Sequence, residues 1–287
     1  MSAVLTNFTE GVVMLKMFFK AVISFNWFIA LTLTVSSAYA GQDLSAQVSS
    51  QENFHYDQYF TIHDDLLKRA TNESADNNGI IKLYQFDQQD QTLPYPQEKY
   101  NRAQHFGTWI KPDASTCLNT RGVVLKRESS IETQNGGACT VKTGQWHDPY
   151  TDQDYNSASE IQIDHLVPLK NAYMTGAFEW DSKKRCLYAN FLGNRFHLVP
   201  VNGVQNEEKG DRSPAEYMPP NSQYQCEYIK NWLEIKLIWS LRLTPFEVDG
   251  LKKEIARNNC ATQDLSVSVK EILNQRKYIQ DHADLCK

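Results

Sequence analysis

Asp164 and His165 stand side by side in Ile163-Asp-His-Leu-Val-Pro-Leu169, and two later segments supply partners of matching chemistry. Phe196-His-Leu-Val-Pro-Val201 carries His197, and Asn206 follows nine residues later in Asn206-Glu-Glu-Lys-Gly-Asp211. A carboxylate and a carboxamide are hard oxygen donors of the kind that Mg²⁺ prefers. A neutral imidazole titrates near physiological pH and serves as a general base. His55, His63, His105, His147 and His282 lack such neighbourhoods and read as structural or surface residues.

These residues need elements that bring them together. Residues 161–166 read as a strand, 196–201 as a second strand, and 203–209 as the start of a helix. The expected arrangement is strand, strand, helix around one metal. Adjacent residues of a regular strand point to opposite faces. A strand end or a bulge is therefore required if Asp164 and His165 are to reach one site. Pro168 limits the strand just beyond them.

Elsewhere the pattern alternates between short strands and helices. Residues 62–70 have a short helical pattern, and 80–86 alternate as a strand. Residues 123–127 fit a strand or a helix end, 139–142 a strand, and 144–150 a turn with aromatic anchors. A short helix is expected over 169–178. Residues 225–241 place Ile229, Trp232, Leu233, Lys236 and Leu237 at helical spacing. Thr244-Pro-Phe-Glu247 is a capping-box signature with proline at the first helical position, opening a helix to about Asn258. A last helix is expected within 265–284. There is no internal repeat and no glycine-rich phosphate loop.

The N-terminus carries an export signal. Lys16 and Lys20 precede an apolar run, and Ala38-Tyr39-Ala40 closes it as an A-x-A cleavage site. The run is shorter than the roughly 20 residues of a spanning helix, and Asn26 interrupts it, so no membrane attachment is expected after cleavage. Residues 1–40 are thus read as a signal peptide, 41–98 as an N-terminal extension of unknown role, and 99–287 as the functional domain. The expected location is secreted or periplasmic, by bacterial-type export.

All six cysteines, Cys117, Cys139, Cys186, Cys226, Cys260 and Cys286, follow the cleavage site. No C-x-x-C pair exists, which argues against a zinc ribbon. In an oxidising compartment they form three disulfides. Six cysteines permit fifteen connectivities, and the sequence does not select among them; the expectation is Cys117–Cys139 and Cys226–Cys260, each flanking one segment, with Cys186–Cys286. Hydrophobic residues make up 41% of the 287-residue chain, which excludes global disorder. Without residues 1–40 the chain keeps 27 basic and 33 acidic residues, net −6, so nothing steers nucleic acid to it globally. Arg102, Lys111, Arg121, Lys126, Arg127 and Lys142 give one stretch a basic bias.

The ordered set Asp-His-x-x-Pro-Leu, His197 and Asn206 resembles the HNH nucleases of the His-Me finger class. The surrounding text resembles secreted HNH nucleases related to the C-terminal domain of GmrSD-type restriction endonucleases. Tyr100-Asn-Arg, Phe106-Gly-Thr-Trp109, Gly144-Gln-Trp with Asp148-Pro-Tyr150, Tyr188-Ala-Asn190, and Lys209-Gly-Asp211 carry that likeness, over roughly residues 100–260. The resemblance implies an α+β fold with a ββα-metal core, added helices and disulfides.

It also implies a reaction: metal-dependent hydrolysis of DNA, with RNA as second candidate, at low sequence specificity. His165 would be the base, and Asp164 and Asn206 the ligands of one Mg²⁺, Mn²⁺ or other divalent cation. His197, where most relatives have Asn, would help orient the base. Arg121, Arg127 and Lys209 would contact phosphates, which carry no sequence information. A dedicated inhibitor protein is conceivable but has no signature. Glu207 and Glu208 follow Asn206 where the family usually has a basic residue, and Phe191 replaces an acidic one. These departures and the net charge support an alternative, a catalytically inactive HNH fold that binds nucleic acid or a surface partner. A third reading makes residues 41–98 a separate adhesion or inhibitor module.

Overall fold

In a computed structural model of the chain, the structure describes residues 59–72, 79–89, 96–137 and 139–286. The expected signal peptide, residues 1–40, and residues 41–58 lie outside the described residues. The elements run β1 (Tyr59–Ile62), α1 (Asp65–Asn72), β2 (Ile80–Lys82), β3 (Phe86–Gln89), α2 (Arg102–Phe106) and α3 (Thr120–Glu128). Next come β4 (Gln134–Gly137), β5 (Thr140–Asp148), β6 (Gln153–Ser157), β7 (Ile161–His165), α4 (Leu169–Met174) and α5 (Ser182–Ala189). The chain continues with β8 (Leu198–Asn202), α6 (Gly203–Lys209), α7 (Gln225–Ile238), α8 (Pro245–Arg257), β9 (Ser266–Ser268) and α9 (Val269–Asp281). The protein is thus a mixed α+β fold.

The antiparallel pair β7–β8 is the wall on which the site is built. Its register runs from Ile161 opposite Asn202 to His165 opposite Leu198 without a shift. One face carries Ile161, Ile163, His165 and Leu198. The first, second and fourth of these pack with Val124, Leu125 and Trp146 in a small core. The other face carries Gln162, Asp164, Val199 and Val201, whose valines join the larger core. Asn202 then caps α6 by accepting hydrogen bonds from the backbone N–H groups of Val204 and Gln205.

The centre of the larger core is α7. Tyr228, Ile229, Trp232, Leu233, Ile235, Leu237 and Ile238 are buried around its circumference, as expected of a helix enclosed on all sides. Its Lys236 is also buried. The Nζ atom meets Oε1 of Glu247 at 3.0 Å, and donates to Asn171 Oδ1 and Thr175 Oγ1. Glu247 is the capping-box residue of α8, so one carboxylate both starts a helix and neutralises a buried cation.

Three sequence readings change. Residues 80–86 do not form one strand; a turn at Leu83–Tyr84 splits them, because Leu83 is fully buried and its N–H bonds the carbonyl of Leu265. Residues 144–148 extend β5 rather than turning, since Trp146 pairs with Tyr155 of β6, and its indole N–H donates to the Leu125 carbonyl. The boundary expected at residue 98 does not divide the structure. Within 59–89, Ile62, Leu67, Ile81 and Leu83 belong to the main core, β2 pairs with β9, and Phe60 bridges to Leu243.

The disulfides are Cys117–Cys139, Cys186–Cys286 and Cys226–Cys260, and among the described residues no cysteine is free.

Candidate active site

His165 ends β7 and is 7% exposed. Its Nε2 lies 2.9 Å from the carbonyl oxygen of Ala189, the last residue of α5. A carbonyl only accepts, so Nε2 carries the proton and Nδ1 keeps the lone pair. Among the described residues Nδ1 makes no hydrogen bond. The indole of Trp109 stacks on the imidazole, with ring centroids 5.2 Å apart and planes 4° from parallel. Burial holds the imidazole well below its ordinary pKa; the Ala189 carbonyl opposes that, and the charges of Arg102 and Lys209 add to it. The ring is therefore neutral at neutral pH, as a general base must be.

The carbonyl that holds His165 is one of the orphans that every helix C-terminus leaves. Its neighbour is used in the same way: Nε2 of His197 donates to the carbonyl of Tyr188 at 2.8 Å. Thus two histidines cap successive carbonyls of α5. Beyond that, His197 departs from its expected part. Its ring centroid lies 6.4 Å from that of His165, with no hydrogen bond between them. It sits edge-on among Tyr188 and Phe191, fully buried, and burial pushes its pKa down to about 3. Orientation of His165 falls to Ala189 and Trp109 instead.

Asp164 points to the other face of β7, because the strand stays regular through His165 and has no bulge. The carboxylate is 5% exposed and satisfied within the fold. Its Oδ1 accepts from Lys209 Nζ at 2.9 Å, and its Oδ2 accepts from the Tyr150 hydroxyl at 2.6 Å. Lys209 has no exposed surface and also donates to the carbonyl of His165 at 3.1 Å. Burial raises the Asp164 pKa and lowers that of Lys209, and each charge restrains the shift of the other. Tyr150, held far above its ordinary value by burial, stays a protonated donor.

Asn206 lies one helical turn from Lys209 on α6. Its Nδ2 donates to Gln162 Oε1 at 2.7 Å, and Gln162 donates back to Glu207. Asn206 over Gln162 and Lys209 over Asp164 are therefore two rungs joining α6 to one face of β7. The three residues expected on phosphates are engaged otherwise. Arg121 donates to the carbonyls of Ala158 and Ile161, and Arg127 to those of Leu192 and Asn194. Lys209 is enclosed. The exposed cation whose charge reaches His165 is Arg102, at the start of α2, and it makes no hydrogen bond or ion pair among the described residues.

A divalent cation does not fit these donors as they stand. Mg²⁺ takes six oxygen ligands and keeps several waters, whereas both Asp164 oxygens are occupied and one of them holds an ammonium. Asn206 reaches Gln162, with no contact to Asp164 among its hydrogen bonds. Among the described residues no group of three or more His, Cys, Asp or Glu is placed to hold a metal ion.

Sequence reasoning singled out Asp164 and His165 but missed Tyr150 beside the first, and Trp109 and Ala189 beside the second. Tyr150 and Trp109 lie in quoted motifs, Asp148-Pro-Tyr150 and Phe106-Gly-Thr-Trp109, so a signal existed. A backbone carbonyl such as that of Ala189 has none.

The sequence model of the family described as "GmrSD restriction endonucleases, C-terminal domain" matches residues 125–244, which include His165, His197 and Asn206. A protein described as an uncharacterized secreted protein, from Arthroderma benhamiae, is 36% identical over 165 residues, or 58% of this chain and 78% of the relative. No solved structure matches. The three disulfides and the secreted relative agree in making this an exported protein. The stretch that the family description covers is the one that builds β7, β8, α6 and α7, and the chain belongs to the family of the C-terminal domain of GmrSD restriction endonucleases.

Proposed function

We propose that the protein is an exported endonuclease that hydrolyses phosphodiester bonds of DNA, with RNA as second substrate, on an HNH-type strand–strand–helix core. The observation that carries this reading is the fixed tautomer of His165. Its Nε2–H is held by Ala189, and its ring by Trp109, while Nδ1 is left with a lone pair. Such outer contacts fix a histidine's orientation and raise its competence.

The chemistry of the chain's own residues follows. Nδ1 takes a proton from a water molecule as its oxygen attacks phosphorus. The bond from phosphorus to the leaving 3′ oxygen breaks, and that oxygen takes a proton from solvent. Arg102, exposed and without an ion pair among the described residues, would hold the phosphate, and its contact would be independent of sequence. A positioned general base contributes about 10²–10⁴-fold.

One observation favours the second reading, an inactive fold that binds nucleic acid or a surface partner: Lys209 pairs with Asp164, one of the two residues expected to ligate a metal. Nicking of supercoiled plasmid by the oxidised protein separates the two. Reactions run with Mg²⁺, with Mn²⁺ and with EDTA, beside folded His165→Ala. Nicking lost in the variant supports the enzyme. A folded wild type that cuts neither plasmid, single-stranded DNA nor RNA under any of these conditions leaves the binding reading.

A further inference from the structure

We propose that Lys209 is the resident counter-cation of Asp164, and that Asp164 takes no divalent ion as a direct ligand in the folded protein. The proposal concerns the same site as the nuclease reading, but it rests on the ion pair rather than on the reaction.

Four features of the fold carry it. Lys209 Nζ sits 2.9 Å from Oδ1 of Asp164, so a cation bound to that oxygen would stand within a few ångströms of a like charge. Tyr150 donates to Oδ2 at 2.6 Å, so with the lysine in place neither carboxylate oxygen is left unengaged. The ammonium is held from a second side by the His165 carbonyl at 3.1 Å, and the side chain has no exposed surface along which to swing away. Finally, the unbroken register of β7 turns His165 to the opposite face, so its imidazole does not join Asp164 in a shared ligand set. Like charges in a low-dielectric interior repel far more than in water, and Mg²⁺ gives up its waters reluctantly. The fold uses the same device once more, in the buried pair of Lys236 and Glu247.

Mn²⁺ is the probe, because its free aqua ion is read directly by electron paramagnetic resonance. The oxidised wild-type protein is titrated with Mn²⁺ beside Asp164→Asn and Lys209→Met. The expected result is that the wild type and Asp164→Asn leave the Mn²⁺ signal equally unattenuated, while Lys209→Met binds the ion about ten-fold more tightly or better. A wild-type Mn²⁺ site that Asp164→Asn abolishes overturns the proposal. So does a folded Lys209→Met that gains no affinity, since the lysine is then not what keeps the ion away. If Lys209→Met does not fold, the Nζ resonance of Lys209 in ¹⁵N-lysine-labelled wild type decides: unmoved by Mg²⁺ it supports the pair, and shifted or lost it overturns it. None of these readouts uses cleavage, so uncut plasmid would sink the nuclease reading and leave this result standing.

Discussion

Nε2 of His165 donates to the carbonyl oxygen of Ala189 at 2.9 Å, which ties the candidate base at the end of β7 to the C-terminal turn of α5. Burial holds this imidazole well below its ordinary pKa of 6.5. A base of lowered pKa keeps its lone pair to lower pH. The acid limb of kcat/KM should therefore fall below 6.5, with activity level between there and neutrality. A pH–rate profile checks this, and an acid limb at or above 6.5 would contradict it.

His197 makes acid stability testable. Its folded pKa of about 3 lies below the unfolded value of 6.5, so the unfolded chain binds the proton first. Its contribution is complete above pH 6.5 and is lost as pH falls toward 3. Between pH 7 and pH 5 this amounts to about 2 kcal/mol. Urea denaturation at both values should show the loss, and His197→Phe should show about 2 kcal/mol less of it.

Glu234, on α7, has the opposite sign. It is 3% exposed, and burial, opposed by Lys230 and reinforced by Glu271, pushes its pKa from 4.5 up to about 7. Its contribution is present below pH 4.5 and lost as pH rises through 7. Glu234→Gln removes that dependence. Relative to wild type, the variant should gain about 3 kcal/mol between pH 4.5 and pH 8 in urea denaturation. Parallel stability curves for the two proteins would refute it.

Removing Lys209 leaves a buried carboxylate without its counter-charge. Lys209→Met should cost about 3–5 kcal/mol. Adding Asp164→Leu should restore part of that loss, because the two residues form one unit. A double-mutant cycle by denaturation measures the coupling, and simple additivity would argue against the pair.

Cys186 lies three residues before Ala189 on α5 and is bonded to Cys286, with a sequence separation of 100. Replacing both cysteines with serine should lower stability by about 4–5 kcal/mol on loop-entropy grounds. Plasmid nicking should fall at temperatures where wild type is intact, since α5 supplies the carbonyl that orients His165. Unchanged thermal midpoints for variant and wild type would defeat this.

Much was legible in the sequence because it is local. The capping box of Thr244 and Glu247 is written in four consecutive residues, and the structure forms it. The strands around Asp164 and Val199, and the helix after Asn202, follow from short-range patterns and turn chemistry. The Asp-His motif likewise marks His165 from its neighbours alone.

Other features depended on residues far apart in the chain. That β7 runs regular through His165 is set by its pairing with β8, and it sends Asp164 and His165 to opposite faces. The motif had left that choice between strand, bulge and strand end open. The charges on Arg121, Arg127 and Lys209 are visible in the sequence, but whether a cation meets solvent or a carbonyl is a matter of burial. Residue identity alone determined that this chain carries the Asp164-His165 motif and an even set of six cysteines. The tertiary structure decided which partners those side chains meet. The reason is physical: a buried charge must find its counter-charge wherever packing puts one, and for Asp164 packing put Lys209, 45 residues along the chain.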